Sequence, residues 1–249
     1  MPATVADCTV PVVAGHRVGD VAFLTVAAPQ GCAPSGPGAF ALLRAVSPGA
    51  PFLGRPLSII GGDEGLWSFA FNIIGAGTEA LAALAPGENA EIVGPLGTPF
   101  GAAFLGEAPV TIVGDRTHVG TLLALAAARK GLVTRVLLRD DGSPAIPVFE
   151  DAFKTLGATA SRGNTADAIA LAAKGDDPLA IAGEDVLAVA LQEATPEGRV
   201  AEVALHQMMG CGFGACHSCV HPLRDGTVAL VCQTTVLPLH KPAFAAPTP

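Results

Sequence analysis

Hydrophobic residues in the first hundred positions come in short bursts separated by glycine, proline and charge: TVPVV, DVAFLTVAA, GAFALLRAV, LWSFAFNII and AEIVGPLG. Bursts this short, bounded by turn residues, predict β-strands, and several in succession predict an antiparallel sandwich or barrel over residues 9 to about 100. From residue 108 the texture changes. APVTIVGDRTHVGTLLALAAARKGLVTRVLLRDD reads as an apolar strand, a turn, an Ala/Leu helix and a second apolar strand, which makes one βαβ unit. PVFEDAFKTLGATA and NTADAIALAAKG supply further helix and strand pieces, and DPLAIAGEDVLAVALQEATPEG a last strand running into a helix. That alternation predicts a parallel sheet. After residue 200 comes a cysteine-rich tail, too short for a core of its own, which would need a metal to hold it.

Length fits this picture, since 249 residues suffice for two modest domains and a small appendix at about 150 residues per domain. Half the residues are apolar and 14% charged, yet the apolar runs break well before the roughly 18 residues of a membrane span. A soluble protein with an apolar partner-facing surface is expected. The N-terminal stretch MPATVADCTVPVVAGHR lacks the basic region, apolar stretch and small-residue cleavage site of an export signal, so a cytoplasmic location with reduced thiols is expected. A net charge of -8, without clustered Lys and Arg, counts against a nucleic-acid surface.

The tail carries the sharpest chemical signal. GCGFGACHSCV at 210–220 holds Cys211, Cys216 and Cys219, and Cys232 completes the pattern C-x4-C-x2-C-x12-C. A disulfide framework would need an oxidising compartment and gives no reason for the glycines beside the thiols. Structural zinc favours two C-x2-C knuckles, and only Cys216 and Cys219 form one. A [2Fe-2S] cluster of the plant-ferredoxin type uses this C-x4-C-x2-C loop and a distant fourth cysteine. Glycines at 210, 212 and 214 would let the loop wrap closely and aim N–H groups at the sulfurs. His217, His221 and, upstream, His206 lie at the wrong spacing for a Rieske site and read as surface or outer-sphere side chains. Cys8 and Cys32 have no partner pattern and read as reduced, partly buried thiols.

A cluster moves single electrons, so the rest of the chain should hold what exchanges them. PGAFALLR (37–44), GRPLSI (54–59), FNIIGAGTEAL (71–81) and GPLGTPF (94–100), taken in order, resemble the FAD barrel of the ferredoxin reductase superfamily. With the cysteine tail, nearly the full length resembles the electron-transfer subunits of heterodimeric dihydroorotate dehydrogenases. The resemblance implies an FAD-binding β-barrel at 1–104, a parallel α/β nucleotide-type domain at 105–203 and a small C-terminal [2Fe-2S] domain at 204–249. It implies that Arg55 lies near the flavin's phosphate or ring edge, that Pro56 and Leu57 shape the pocket, and that Ser58 hydrogen-bonds the ring near its reactive nitrogen. Asn72, Ile73 and Ile74 would offer backbone groups, and Gly77 and Thr78 would bind the pyrophosphate. Cys211, Cys216, Cys219 and Cys232 would hold the cluster. No residue of this chain is expected to act as substrate acid or base, the substrate being handled by a flavin-containing catalytic partner subunit.

Two departures bear on the electron acceptor. Where the superfamily has a glycine-rich loop for nicotinamide phosphates, this chain has IVGDRTHVGTLL, with Asp115, Arg116 and His118 adding bulk and a carboxylate; a later Cys-Gly-Pro signature reads IAGEDVLAVAL, keeping only Gly183. Both count against NAD binding: if the family function holds the substrate is dihydroorotate and the final acceptor NAD+, and if the altered loops matter electrons pass to or from another carrier, such as a ferredoxin or second flavoprotein. The expected function is a relay between a catalytic flavoprotein and an external acceptor through [2Fe-2S] and FAD. The alternatives are a paralogous subunit serving another flavoenzyme with a non-NAD carrier, a self-sufficient NADH-dependent reductase feeding an oxygenase, and a non-catalytic module whose cysteines hold zinc.

Overall fold

A computed structural model of the chain describes residues 5–61, 65–132 and 134–244. The five apolar bursts of the first hundred residues and the RPLSIIG stretch form six strands, β1 (Ala6–Val18), β2 (Val21–Ala27), β3 (Phe40–Ala45), β4 (Arg55–Gly61), β5 (Leu66–Asn72) and β6 (Asn89–Leu96). They close in the order β1-β2-β5-β4-β3-β6, every pair antiparallel. Closure is possible because β1 is long enough to pair with β2 through Val12–Val18 and with β6 through Ala6–Pro11. A closed sheet leaves no edge to aggregate. Val10, Val12, Leu24, Val26, Leu43, Trp67, Phe69 and Ile92 fill the interior. One helix interrupts this part, α1 (Ala76–Ala82), whose Leu81 is buried in the barrel core. The sequence reading takes FNIIGAGTEAL as a cofactor-contacting motif and predicts no helix there.

The second half is a doubly wound α/β unit. Strands β7 (Val110–Gly114), β8 (Thr134–Arg139), β9 (Thr159–Gly163), β10 (Leu179–Ala182) and β11 (Ala201–Ala204) alternate with α2 (Val119–Ala128), α3 (Ala145–Thr155), α4 (Thr165–Lys174) and α5 (Asp185–Ala194). These strands are parallel in the order β9-β8-β7-β10-β11. Successive residues of the central strands feed opposite faces. Ile112, Val136, Leu138, Ala180 and Ala182 pack with Leu122, Phe149 and Phe153 of α2 and α3, while Val113, Leu137, Leu179 and Ile181 pack with Ala168, Leu187 and Leu191 of α4 and α5. Strands covered on both faces read as continuous apolar runs, which is how VTIVG and LAIA read. Strand order reverses between β7 and β10, and in open parallel sheets the crevice at such a point is where ligands bind.

The cysteine tail forms no separate third core. It contributes a two-stranded hairpin, β12 (Val220–Pro222) and β13 (Val228–Leu230), and a strand β14 (Val236–Pro238) that adds to the large sheet antiparallel to β11. Its apolar side chains, with Cys219 and Cys232, join the core of the α4/α5 face together with Phe40, Leu42 and Leu96 of the barrel. A segment too short to bury its own interior has borrowed one from both neighbours.

The link from barrel to sheet is held by one buried arginine at the end of α2. Arg129 is 1% exposed and donates to the carbonyls of Phe104, Gly106 and Ala108 at 2.9, 2.7 and 2.5 Å and to the Thr134 hydroxyl at 3.1 Å. Those carbonyls belong to a connection with no strand to pair with, so the guanidinium takes the place of a ladder. Arg129→Met should lower unfolding free energy by about 3 kcal/mol, read as a lower urea midpoint; an unchanged midpoint would show that the linker carbonyls have other donors.

Candidate functional site

Where α2 begins, it lies against barrel strands β4 and β5, and between them a cavity of about 240 Å³ opens. A Cβ added to Gly120 would stand 3.0 Å from the Ala70 carbonyl and 3.3 Å from the Ser58 Cβ, so glycine permits this approach. Across the seam the Ser58 and Thr121 hydroxyls share a hydrogen bond of 2.6 Å. Of the residues singled out from sequence, Arg55, Pro56, Leu57, Ser58, Asn72, Ile74 and Thr78 line this cavity, and Ile73 and Gly77 do not. The Ile73 amide donates to the Asp20 carbonyl at 2.8 Å and its side chain packs on the barrel core. Gly77 is buried under the Arg55 guanidinium, which any Cβ at 77 would overlap; it serves the cavity by letting Arg55 lie there. The Thr78 hydroxyl accepts from the amides of Ile74 and Gly75 at 3.0 and 3.2 Å and donates to the Gly75 carbonyl at 2.9 Å, so it holds the loop together. Three larger hollows, of about 490, 720 and 560 Å³, touch none of the residues expected to bind a cofactor, though Cys32 lines the last.

The far wall is built from residues whose role the sequence reading left open. Arg116, Thr117, His118, Gly120, Thr121 and His206 line it, all but His206 from the altered GDRTHVGT stretch. Asn72 donates to the Arg116 carbonyl at 2.5 Å, and Arg116 pairs with Asp141 at 2.6 Å. His118 and His206 meet edge to face, with ring centroids 4.7 Å apart. His206 is exposed, in keeping with its sequence context, and lines the cavity. The packing of neighbouring protein, and then His118, hold its pKa down at about 4, against a smaller opposing pull from Asp115.

Behind His118 is the switch-point crevice, and a carboxylate fills it. Asp115, 1% exposed at the end of β7, accepts from the amides of Thr117 at 3.0 Å and Glu184 at 2.7 Å. Arg139, at the end of β8, donates to it at 3.3 Å and to Glu184 at 2.7 Å, and His118 Nδ1 lies 3.4 Å from its Oδ1. Burial acts to raise the Asp115 pKa, but the His118 contact, the Glu184 amide and Arg139 outweigh it and bring it to about 2. A nucleotide phosphate bound here would need the donors that this side chain already occupies.

The four tail cysteines fall into two neighbouring pairs. The Cys216 amide donates to Cys211 Sγ at 3.4 Å and the two side chains interact, while Cys232 lies beside Cys219 with the Gly214 amide directed at its sulfur. Cys219 and Cys232 are buried and Cys216 is exposed. Ser218 first, then Cys211, hold the Cys216 thiol down at about 6, whereas burial and then Cys219 push Cys232 up to about 12. Gly212 and Gly214 take φ of +79° and +85°, and a Cβ at 212 would reach within 2.7 Å of Leu42. The loop thus needs glycine both for its turn and for its seat on the barrel. His217, at φ 56°, is the only non-glycine in the left-handed region among the described residues. His221 is buried against Phe244, with Nδ1 3.2 Å from Gln207, a core position in contrast to its surface-like sequence context. Among the described residues no three His, Cys, Asp or Glu converge on one metal ion. Two thiol pairs suit a two-iron cluster, with two thiolates per iron, better than one tetrahedral zinc. Cys8 and Cys32 are half-buried and packed against the barrel core.

Comparison with known proteins bears on the whole chain. No family model matches it. The dihydroorotate dehydrogenase B (NAD(+)) electron transfer subunit of Geobacillus sp. (strain WCH70) is 30% identical over 199 residues, 74% of this chain and 76% of that protein. The protein of the same name from Fusobacterium nucleatum is 29% identical over 202 residues, 74% and 77% of the two chains. Among solved structures, one of an NADH-dependent reduced ferredoxin-NADP oxidoreductase, described for flavin-based electron bifurcation, has a TM-score of 0.77 at 20% identity. It covers 98% of this chain and 92% of that one. Phthalate dioxygenase reductase follows at 0.59 and 14%, over 91% and 94%. These structural likenesses establish the barrel-plus-α/β fold.

The carboxylate network predicts a specific acid response. Because the Asp115 pKa is depressed from 3.8 to about 2, its contribution is present in full above 3.8 and is lost as pH falls towards 2. The stability difference between wild type and Asp115→Asn should shrink by about 2 kcal/mol between pH 5 and pH 2. Urea unfolding across that range measures it, and a difference independent of pH would show that the carboxylate is not held as described.

Proposed function

The chain belongs to the family of dihydroorotate dehydrogenase B electron-transfer subunits, and from that membership we propose that it relays electrons between a flavin-containing catalytic subunit and an external carrier through FAD and a [2Fe-2S] cluster. Substrate chemistry belongs to the partner. Here the cavity between α2 and the barrel takes FAD, and Cys211, Cys216, Cys219 and Cys232 take the cluster. The observation that carries the reading is continuity. His206 lines the cavity, and Cys211 follows it five residues later, roughly 18 Å away at full extension. A two-electron centre and a one-electron centre would therefore sit side by side, as a relay requires.

When bound, FAD exchanges electrons in pairs or singly and the cluster exchanges them one at a time. The protein's own residues then have definite tasks. Arg55, laid over Gly77, meets the cofactor's phosphate or ring edge. The Ser58 and Thr121 hydroxyls, already bonded to each other, each keep capacity for one more hydrogen bond to a ring placed above them. Leu57, Val119 and Ile74 exclude water. The paired thiols anchor the cluster, and the Gly214 and Cys216 amides aimed at sulfur favour its reduced, more negative form.

The acceptor is a carrier other than a nicotinamide nucleotide. Asp115 holds the donors that a dinucleotide's phosphates would use, and an incoming phosphate would meet a buried carboxylate. This departs from the name of the relatives, which specifies NAD(+).

The anaerobically purified protein should show flavin and iron–sulfur absorption that dithionite bleaches and NADH leaves unchanged. A colourless protein would overturn the cofactor assignment, and bleaching by NADH would overturn the exclusion of nicotinamide. Arg55→Ala should weaken FAD binding by about 10- to 100-fold, the worth of a charge-assisted contact, measured by flavin fluorescence during titration of the apoprotein.

A further inference from the structure

The cavity wall contains a device that electron relay alone does not call for. Asp115, His118 and His206 form a line from the buried crevice to the open cavity: carboxylate to imidazole at 3.4 Å, imidazole to imidazole at 4.7 Å between centroids. Both rings line the cavity. Its other lining side chains are the guanidinium groups of Arg55 and Arg116, which stay charged, the hydroxyls of Ser58, Thr78, Thr117 and Thr121, the amide of Asn72, and apolar groups. Among these side chains only the imidazoles of His118 and His206 offer a ring nitrogen that can take up a proton.

Electrons that arrive singly bring no proton. A hydride from a nicotinamide would carry one, but Asp115 closes that route, so protons must be taken up separately. We propose that His206 is a redox-linked proton site: its imidazole takes up a proton from solvent as the flavin in the adjoining cavity gains an electron pair, and releases it on reoxidation. The balance is FAD + 2e⁻ + H⁺ giving anionic FADH⁻, with His206 + H⁺ giving the imidazolium. Both electrons come from a one-electron donor, the iron–sulfur cluster, delivered in turn.

The surroundings are set for such a swing. His206 is held neutral before electrons arrive by the packing around it and by His118. Asp115, with Arg139 and Glu184 behind it, is the opposing influence and acts from the far side of His118. An anion arriving in the cavity reverses the balance, because a nearby opposite charge favours the charged form of a histidine. The imidazolium then stabilises the reduced cofactor and raises its potential, more so at lower pH.

This proposal rests on the flavin reading of the cavity, and one experiment separates the two. The full-length protein is loaded with FAD, its flavin content is measured by fluorescence after release, and the flavin midpoint potential is followed by spectroelectrochemistry from pH 5 to pH 7. In wild type two protons accompany each electron pair; in His206→Gln one does, so the potential should fall twice as steeply with pH in wild type as in the variant. His118→Gln keeps the site but removes the neighbour that holds His206 down, so the steep region should begin at higher pH. Protein that takes up no flavin overturns the functional reading and this proposal with it. Flavin-loaded protein with the same slope in wild type and H206Q, or a steep region unmoved in H118Q, overturns this proposal alone.

Discussion

A single buried carboxylate organises the centre of the molecule. Asp115 ends β7, accepts from the amide that follows β10, takes Arg139 from the end of β8 and holds the turn into α2 through the Thr117 amide. Charge taken out of water is costly unless donors surround it, and here two amides and a guanidinium do so. The consequence is positional. With the turn fixed, α2 begins where Gly120 can lie on Ser58 and Ala70, and the cavity between barrel and sheet takes its shape from that contact. The same anion stands at the switch point between β7 and β10, where it accepts from the Glu184 amide.

Much of this was legible in the chain. Five of the six barrel strands follow from apolar bursts cut by Gly and Pro, because a strand half-buried in a barrel needs only a few apolar residues and a turn; β4, RPLSIIG, reads as a cofactor motif and not as a strand. The parallel sheet follows from VTIVG and LAIA, whose unbroken apolarity has a physical cause in burial on both faces. RPLS and the C-x4-C-x2-C spacing point to residues that do gather in the structure, seven of them around one cavity and four as two thiol pairs.

What stayed hidden was of two kinds. Helix α1 was masked by Gly75 and Gly77, and Gly77 reflects the need of Arg55 for room and not an absence of helix. The far wall of the cavity was hidden because it is made by distance in sequence: Ser58 meets Thr121 and His118 meets His206 only once the sheet has folded against the barrel. No local pattern announces a histidine 88 residues away from its ring partner (206 minus 118). The one available signal was negative, the replacement of glycines by GDRTHVGT, and it reads as a loss until Asp115 is seen to hold the donors itself.

The tail shows why the placement of the cysteines and the fold cannot be separated. A C-terminal segment with little apolar surface could hold four cysteines on its own only through the metal they bind. This one is anchored first: β14 extends the sheet, and Cys219 and Cys232 are buried among residues from the barrel and the α4/α5 face. Anchoring before ligation lowers the conformational cost that cluster binding must offset. It also fixes where the thiols stand relative to His206, because β11, paired on both sides, leads directly into the stretch that joins them. The distance between the cavity beside the barrel and the cysteine loop is therefore a property of the sheet, set by backbone pairing.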